Sequence, residues 1–385
     1  MNPLSRLIAL SDTEKQEHGL LHTPAEIAQQ PATWQTTYRI FEESKSSLAE
    51  FLRPVREGQW TIYLVGAGTS DYIGHALSNL LRQHWGCEVY AVPSTDLLTN
   101  RDDLLLDGRR YLWISFSRSG DSPEGVAVLE QALASCPNVI HLVVSCNASG
   151  RMVELARQSK DALAIVLDDA VNDRSLAMTS SFTNMLVFGQ ALAHLWEPEH
   201  YGETLAQMTV AANYMLDAGS HLAQELAGKG HRQACFVGAG GLGSAAKESA
   251  LKLLELTSGR VLTMSETTLG LRHGPMSALN VETIFTGYVS TGEKRRRYDL
   301  DLLREIRAKE VVRTIVAVGV ADSASDHSLH CAAFDHIDDA YRPAVDIIFG
   351  QMLGLFSSIQ LGLKPDSPSP NGVISRVVQK FNIYS

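Results

Sequence analysis

Apolar and polar positions alternate along this chain in two distinct rhythms. Short β-branched and aromatic runs, "WTIYLVGAG", "CEVYAVPS", "YLWISFS", "VIHLVVSC" and "LAIVLDD", are separated by stretches of helical period such as "DYIGHALSNLLRQHW" and "PEGVAVLEQALAS". Buried strands alternating with amphipathic helices predict a parallel sheet covered by helices on both faces. The rhythm restarts at "RQACFVGAG", "GRVLTMSE", "TIFTGYVS" and "VRTIVAVGVAD", after a helical connection over roughly residues 183–228. Before the first strand, residues 1 to about 53 read as helical. Thr23-Pro24-Ala25-Glu26 has the composition of a capping box with proline in the first turn, and a longer helix is expected from about Thr33 to Leu52.

The second half echoes the first. "VGAG" spans Val65–Gly68 and returns at Val237–Gly240, closing a strand and opening a helix each time, so duplication is the economical reading. The expected fold is α/β: two tandem doubly wound, flavodoxin-like parallel sheets at 54–205 and 222–365, an N-terminal helical segment at 1–53, and a tail at 366–385. Gly238, Gly240 and Gly243 satisfy a G-x-G-x-x-G pattern. In the first half, however, Asp71 stands where the third glycine belongs, and neither copy is followed by an acid suited to a ribose. Dinucleotide binding is therefore not expected.

Composition narrows the classes further. Of 385 residues 45% are hydrophobic and 20% charged, and the formal net charge is −10, which argues against a nucleic-acid partner. The one dense basic run, Lys294–Arg297, is followed by Asp299, Asp301 and Glu305 and reads as a solvated helix start. Five widely spaced cysteines, Cys87, Cys136, Cys146, Cys235 and Cys331, read as reduced thiols beside apolar residues. With no export signal or apolar run long enough for a membrane, a cytoplasmic protein without a membrane partner is expected. No H-x-x-E-H or C-x-x-C spacing is present, so no metal is expected.

Candidate chemistry gathers at two places. After "YLWISFS", the stretch Ser117-Arg118-Ser119-Gly120-Asp121-Ser122 offers three hydroxyls, a glycine for a tight turn and Pro123 at the first position of a helix. At the carboxyl end of a strand, such a nest suits a phosphate monoester, with Arg118 as an added charge. The alternative is a serine-rich turn that only caps its helix. In the second half, Glu248, Lys252 and Glu255 at i, i+4 and i+7 share one helix face. By spacing alone an exposed surface ion pair is the favoured reading.

The motifs "GAGTS", "SFSRSGDSPE" and "ESALKLLELTSGRVLTMSETTLGLRHGP", together with "GLLHTPAEIAQQPATW" near the start, resemble the sugar isomerase (SIS) family. The likeness is strongest to its bacterial galactosamine-6-phosphate deaminase/isomerase group, and the chain is also similar to the isomerase half of glucosamine-6-phosphate synthase. The synthase begins with a glutaminase nucleophile where this chain has Met1-Asn2-Pro3, so the resemblance implies a reaction run toward ammonia release. It implies that Glu255 transfers the proton and Lys252 lies near the sugar. It further implies that His273 opens the ring from a neighbouring subunit, and that Thr69 and Ser70 contact the phosphate or the sugar hydroxyls. A homo-oligomer with shared sites, a small sugar phosphate as ligand and no cofactor follow from the same likeness. Thr69 and Ser70 could instead serve as helix caps. Two stretches depart from the synthase pattern: Met178-Thr179-Ser180 after the fifth strand, and Ser375-Arg376 where its tail carries a lysine. A plain ketose/aldose isomerase and an inert sugar-phosphate sensor are the competing functions.

Overall fold

A computed structural model describes residues 1–197 and 201–384. Residues 198–200, within the expected helical connection, lie outside the described residues.

Two five-stranded parallel sheets form. The first contains β1 (Thr61–Gly66), β2 (Glu88–Pro93), β3 (Tyr111–Ser117), β4 (Val139–Ser145) and β5 (Ala162–Val166), in the order β2-β1-β3-β4-β5. The second contains β6 (Gln233–Gly238), β7 (Leu262–Glu266), β8 (Thr283–Tyr288), β9 (Thr314–Val318) and β10 (His327–Leu329), in the order β10-β9-β8-β6-β7. Numbered within its own sheet, each half reads 2-1-3-4-5, the flavodoxin-like order. Central strands β1, β3, β6, β8 and β9 are buried throughout, as continuous apolar runs require when helices cover both faces. Edge strands β2 and β5 are partly exposed.

The chain groups into two compact units. One holds Met1–Ala32, Arg174–Thr179 and Gly202–Val373, and therefore the second sheet. The other holds Thr33–Asp173, Ser180–Tyr201 and Ile374–Ser385, with the first sheet.

Both "VGAG" turns answer to backbone crowding. A Cβ on Gly66 would lie 2.4 Å from the Ser70 carbonyl carbon, and one on Gly238 2.5 Å from the Leu242 oxygen, because each helix begins directly against its strand end. Gly68 and Gly240 then take φ of 56° and 59°, a conformation side chains resist.

Several expectations need correcting. The Thr23–Ala28 helix has no side-chain cap at His22, and no capping box forms. Thr23 donates its hydroxyl to Asp366 instead, and the Glu26 carboxylate accepts from the Arg174 and Ser175 amides and the Ser175 hydroxyl. The polar residues that suggested a cap serve partners distant in the chain. The long helix runs Gln30–Phe51, three residues ahead of the expected start. Strand β10 is added, and the connection between the halves consists of helices Ser180–Ala193, Tyr201–Tyr214 and Ser220–Gly228, with a π-helical turn at Met215–Gly219. Of the cysteines only Cys146 and Cys235 are buried, and all five are free. No helix among the described residues is long and apolar enough to cross a membrane.

Candidate functional site

Strand β3, in the middle of its sheet, ends at Ser117 and delivers the serine turn to the carboxyl end of the sheet. Ser117, Arg118 and Ser119 are buried there, although all three are polar. The turn closes on itself: the Gly120 amide donates to Ser117 Oγ at 3.0 Å and the Asp121 amide to Ser119 Oγ at 3.2 Å. A hydroxyl that accepts from an amide keeps its own O–H to donate. Gly120, at φ 67°, touches a second glycine: a Cβ on Gly150 would meet the Ser119 carbonyl at 2.5 Å. The Asn147 amide group also donates to that carbonyl, at 2.8 Å. Pro123 begins the next helix, as expected, but Ser122 at the cap position makes no side-chain capping bond. Simple helix capping therefore does not explain the serines.

Arg118 is not a loose surface charge. It donates to the Arg376 carbonyl, while Arg376 donates to the Asp173 carbonyl at 2.7 Å and to Asn172 Oδ1 at 2.6 Å. The structure thus brings the tail to the serine turn through Arg376, and Ser375 turns to the Val377 carbonyl. Thr69 and Ser70, also buried, lie inside the first turn of the helix Thr69–Trp85, whose cap is Gly68. They are not caps.

Glu248, Lys252 and Glu255 ride on the helix Leu242–Leu256 of the other unit. Glu248 and the Lys252 ammonium are wholly buried, and Lys252 Nζ lies 3.4 Å from Glu248 Oε1 while donating to Glu255 Oε2. The Glu255 side chain keeps 23% of its surface exposed. A surface ion pair is excluded, since a fully buried lysine persists only where paired carboxylates offset its lost hydration. The helix is held closely: a Cβ on Gly350 would lie 2.3 Å from Ser249 Oγ, and one on Gly354 3.1 Å from the Lys252 carbonyl. Ser249 in turn bonds Tyr288 at the end of β8, 2.6 Å away.

His273 is exposed on a short 3₁₀ turn, Gly270–His273, ahead of Gly274. Its neighbour Arg272 is anchored on Glu305 at 2.6 Å.

Sequence reasoning missed the counterpart of the serine turn in the second sheet. After β8, Ser290-Thr291-Gly292 repeats the arrangement, with the Gly292 amide on Ser290 Oγ at 3.0 Å. Here the hydroxyls are already engaged. Asp339, 1% exposed, accepts from Ser290 Oγ, from the Thr291 amide at 3.0 Å and from Arg295 at 3.1 Å. The buried Arg342 lies beside it and pairs with Asp346 at 2.8 Å. One arm of the basic run thus serves an internal carboxylate. No spacing linked Asp339 to a turn about fifty positions earlier.

Tandem doubly wound parallel sheets, one bearing a buried serine turn and the other a buried Glu-Lys-Glu chain, define a class of two-sheet α/β protein. The SIS domain model matches residues 57–195, and the chain belongs to the SIS family. Within that family it is 35% identical to the D-galactosamine-6-phosphate deaminase AgaS of Escherichia coli, over 94% of this chain and 95% of that one. It is 32% identical to the protein of the same name from a Shewanella species, over 98% and 95%. Among solved structures it is similar to the tagatose-6-phosphate ketose/aldose isomerase of E. coli, with a TM-score of 0.84 and 34% identity over 91% of this chain and 95% of that one.

Proposed function

We propose that the protein is a cofactor-independent deaminating isomerase that converts a hexosamine 6-phosphate, D-galactosamine 6-phosphate first, into the ketose phosphate and ammonia. The observation that carries this reading is the buried Lys252 between Glu248 and Glu255, with only the Glu255 carboxylate reaching the surface. A charged chain buried at such desolvation cost, open at one end, suits a carboxylate held in place to accept a proton.

In this reading the serine turn, with Thr69 and Ser70, binds the phosphate ester through hydroxyls and amides. His273, supplied by a neighbouring subunit of a homo-oligomer, assists ring opening as acid and base. Glu255 removes the C2 proton of the open-chain amino aldose and returns it to C1. The enolamine thereby becomes a C2 imine. One water then adds to C2, nitrogen leaves as ammonia, and the ketose remains. Lys252 orients the carboxylate by its hydrogen bond.

Plain ketose/aldose isomerisation is the second reading, favoured by the name of the E. coli structural neighbour. A coupled ammonia assay on purified protein, over galactosamine, glucosamine and N-acetylated hexosamine 6-phosphates and tagatose 6-phosphate, separates the two. Ammonia from galactosamine 6-phosphate is expected. Interconversion without ammonia would transfer the assignment to the isomerase, and binding without turnover to a sensor. Glu255→Gln should keep substrate affinity within a few fold while turnover falls roughly a thousandfold or more. Near-normal turnover removes Glu255 from the mechanism.

A further inference from the structure

Two helices of the unit that carries the first sheet end against each other. Helix Thr69–Trp85 brings His84 to its last turn and stops at Gly86, φ 63°. Helix Ser180–Ala193, buried along its whole length, is followed at once by His194 and then Glu197. Trp85 Nε1 donates to the Ala193 carbonyl at 3.1 Å, and the Trp85 and Trp196 rings lie 4.7 Å apart. The imidazoles of His84 and His194 face each other at 4.4 Å between centroids.

Glu197 Oε2 lies 2.8 Å from His84 Nδ1 and 3.9 Å from His194 Nδ1. One ligand-type atom from each of the three side chains falls within 4.8 Å of the others. A tetrahedral ion with bonds of about 2.0–2.1 Å sets its ligand atoms about 3.4 Å apart, so shifts of about 1 Å would bring all three onto one ion and leave the fourth position to water. One further feature favours a cation: both helices present their C-terminal, negative dipole ends. The adjoining cavity of about 220 Å³ is lined by Cys87, Trp196 and Arg56, whose guanidinium is engaged over the Trp196 ring at 5.7 Å.

We propose that His84, His194 and Glu197 form a binding site for one divalent transition-metal ion, with zinc as the first candidate. Two imidazoles and a carboxylate suit zinc, cobalt or nickel rather than magnesium or calcium. The role is structural. The helix from Thr69 to Trp85 is about 24 Å long, so the ion would clamp the end opposite the Thr69–Ser70 turn and tie helix ends 110 positions apart in the chain. This wide separation is why no sequence spacing announced it.

The test uses the full chain, stripped by chelator and titrated with Zn²⁺ by calorimetry and with Co²⁺ by visible absorption. One ion per chain is expected, with Kd on the order of micromolar or tighter and the intense d–d bands of a tetrahedral site. Zn²⁺ should also raise the melting temperature. His84→Asn and His194→Asn should each weaken binding by roughly tenfold or more, and the double variant should lose the thermal shift. Glu197→Gln, at a half-exposed position, gives the same weakening without disturbing the core. Absence of saturable binding, or unchanged binding in the double variant or in Glu197→Gln, overturns the proposal.

Discussion

His141 shows how a polar side chain can act as core. It stands on the buried strand β4, edge-on to Trp113 at 5.3 Å, and neither ring nitrogen has a hydrogen-bond partner among the described residues. Burial lowers its pKa from 6.5 to about 4. The depressed folded value means that its neutral form is fully accommodated above about pH 6.5. Stability is then lost as pH falls, because the unfolded chain takes up the proton first. His141→Phe, of similar shape, should therefore lose about 2 kcal/mol less stability than the parent between pH 7 and pH 5, read from urea denaturation at both values. Identical pH dependence would show that His141 is hydrated or paired in solution. Lys252 teaches a related lesson. Spacing put it on one face with Glu248 and Glu255, but spacing is silent about which face is buried, and that decides between a surface pair and a buried charge chain.

Elements were more legible than residues. Six of the nine strands read as apolar runs are central ones, which in a parallel sheet are covered on both faces and tolerate no polar alternation. Strand β10, three residues long and partly exposed, has no such signature. The failed capping box at Thr23 arose because its hydroxyl and Glu26 answer to Asp366 and to residues 174–175, partners that local pattern cannot reveal. Close helix crossing was equally hidden. Gly350 lies inside the helix Pro343–Gln360, where alanine would ordinarily stabilise by about 1 kcal/mol. Here the added methyl meets Ser249, the residue after Glu248, so Gly350→Ala should destabilise by about 1–3 kcal/mol and lower turnover by moving the Lys252 helix. A thermal melt and a kcat measurement check it. A raised melting temperature would mean that the helices part without strain.

At the scale of the whole molecule, linear sequence and compact unit do not coincide. The unit built on the first sheet recruits residues from Thr33 onward, where Trp34 donates to Thr183 at 3.0 Å and Phe41 meets Phe188 at 6.1 Å. A fragment of residues 54–205 lacks these partners and leaves the apolar helix Ser180–Ala193 uncovered. It should be poorly soluble or melt without cooperativity, whereas 33–205 should show a sharper transition by circular dichroism. A cooperative, soluble 54–205 fragment would restore the linear division. The paired turns carry a consequence for stoichiometry. The turn after β8 holds a resident acid in Asp339, so that berth is filled from within. On the proposed reading of the serine turn after β3 as the phosphate site, saturation curves with inorganic phosphate should therefore describe one class of seat rather than two.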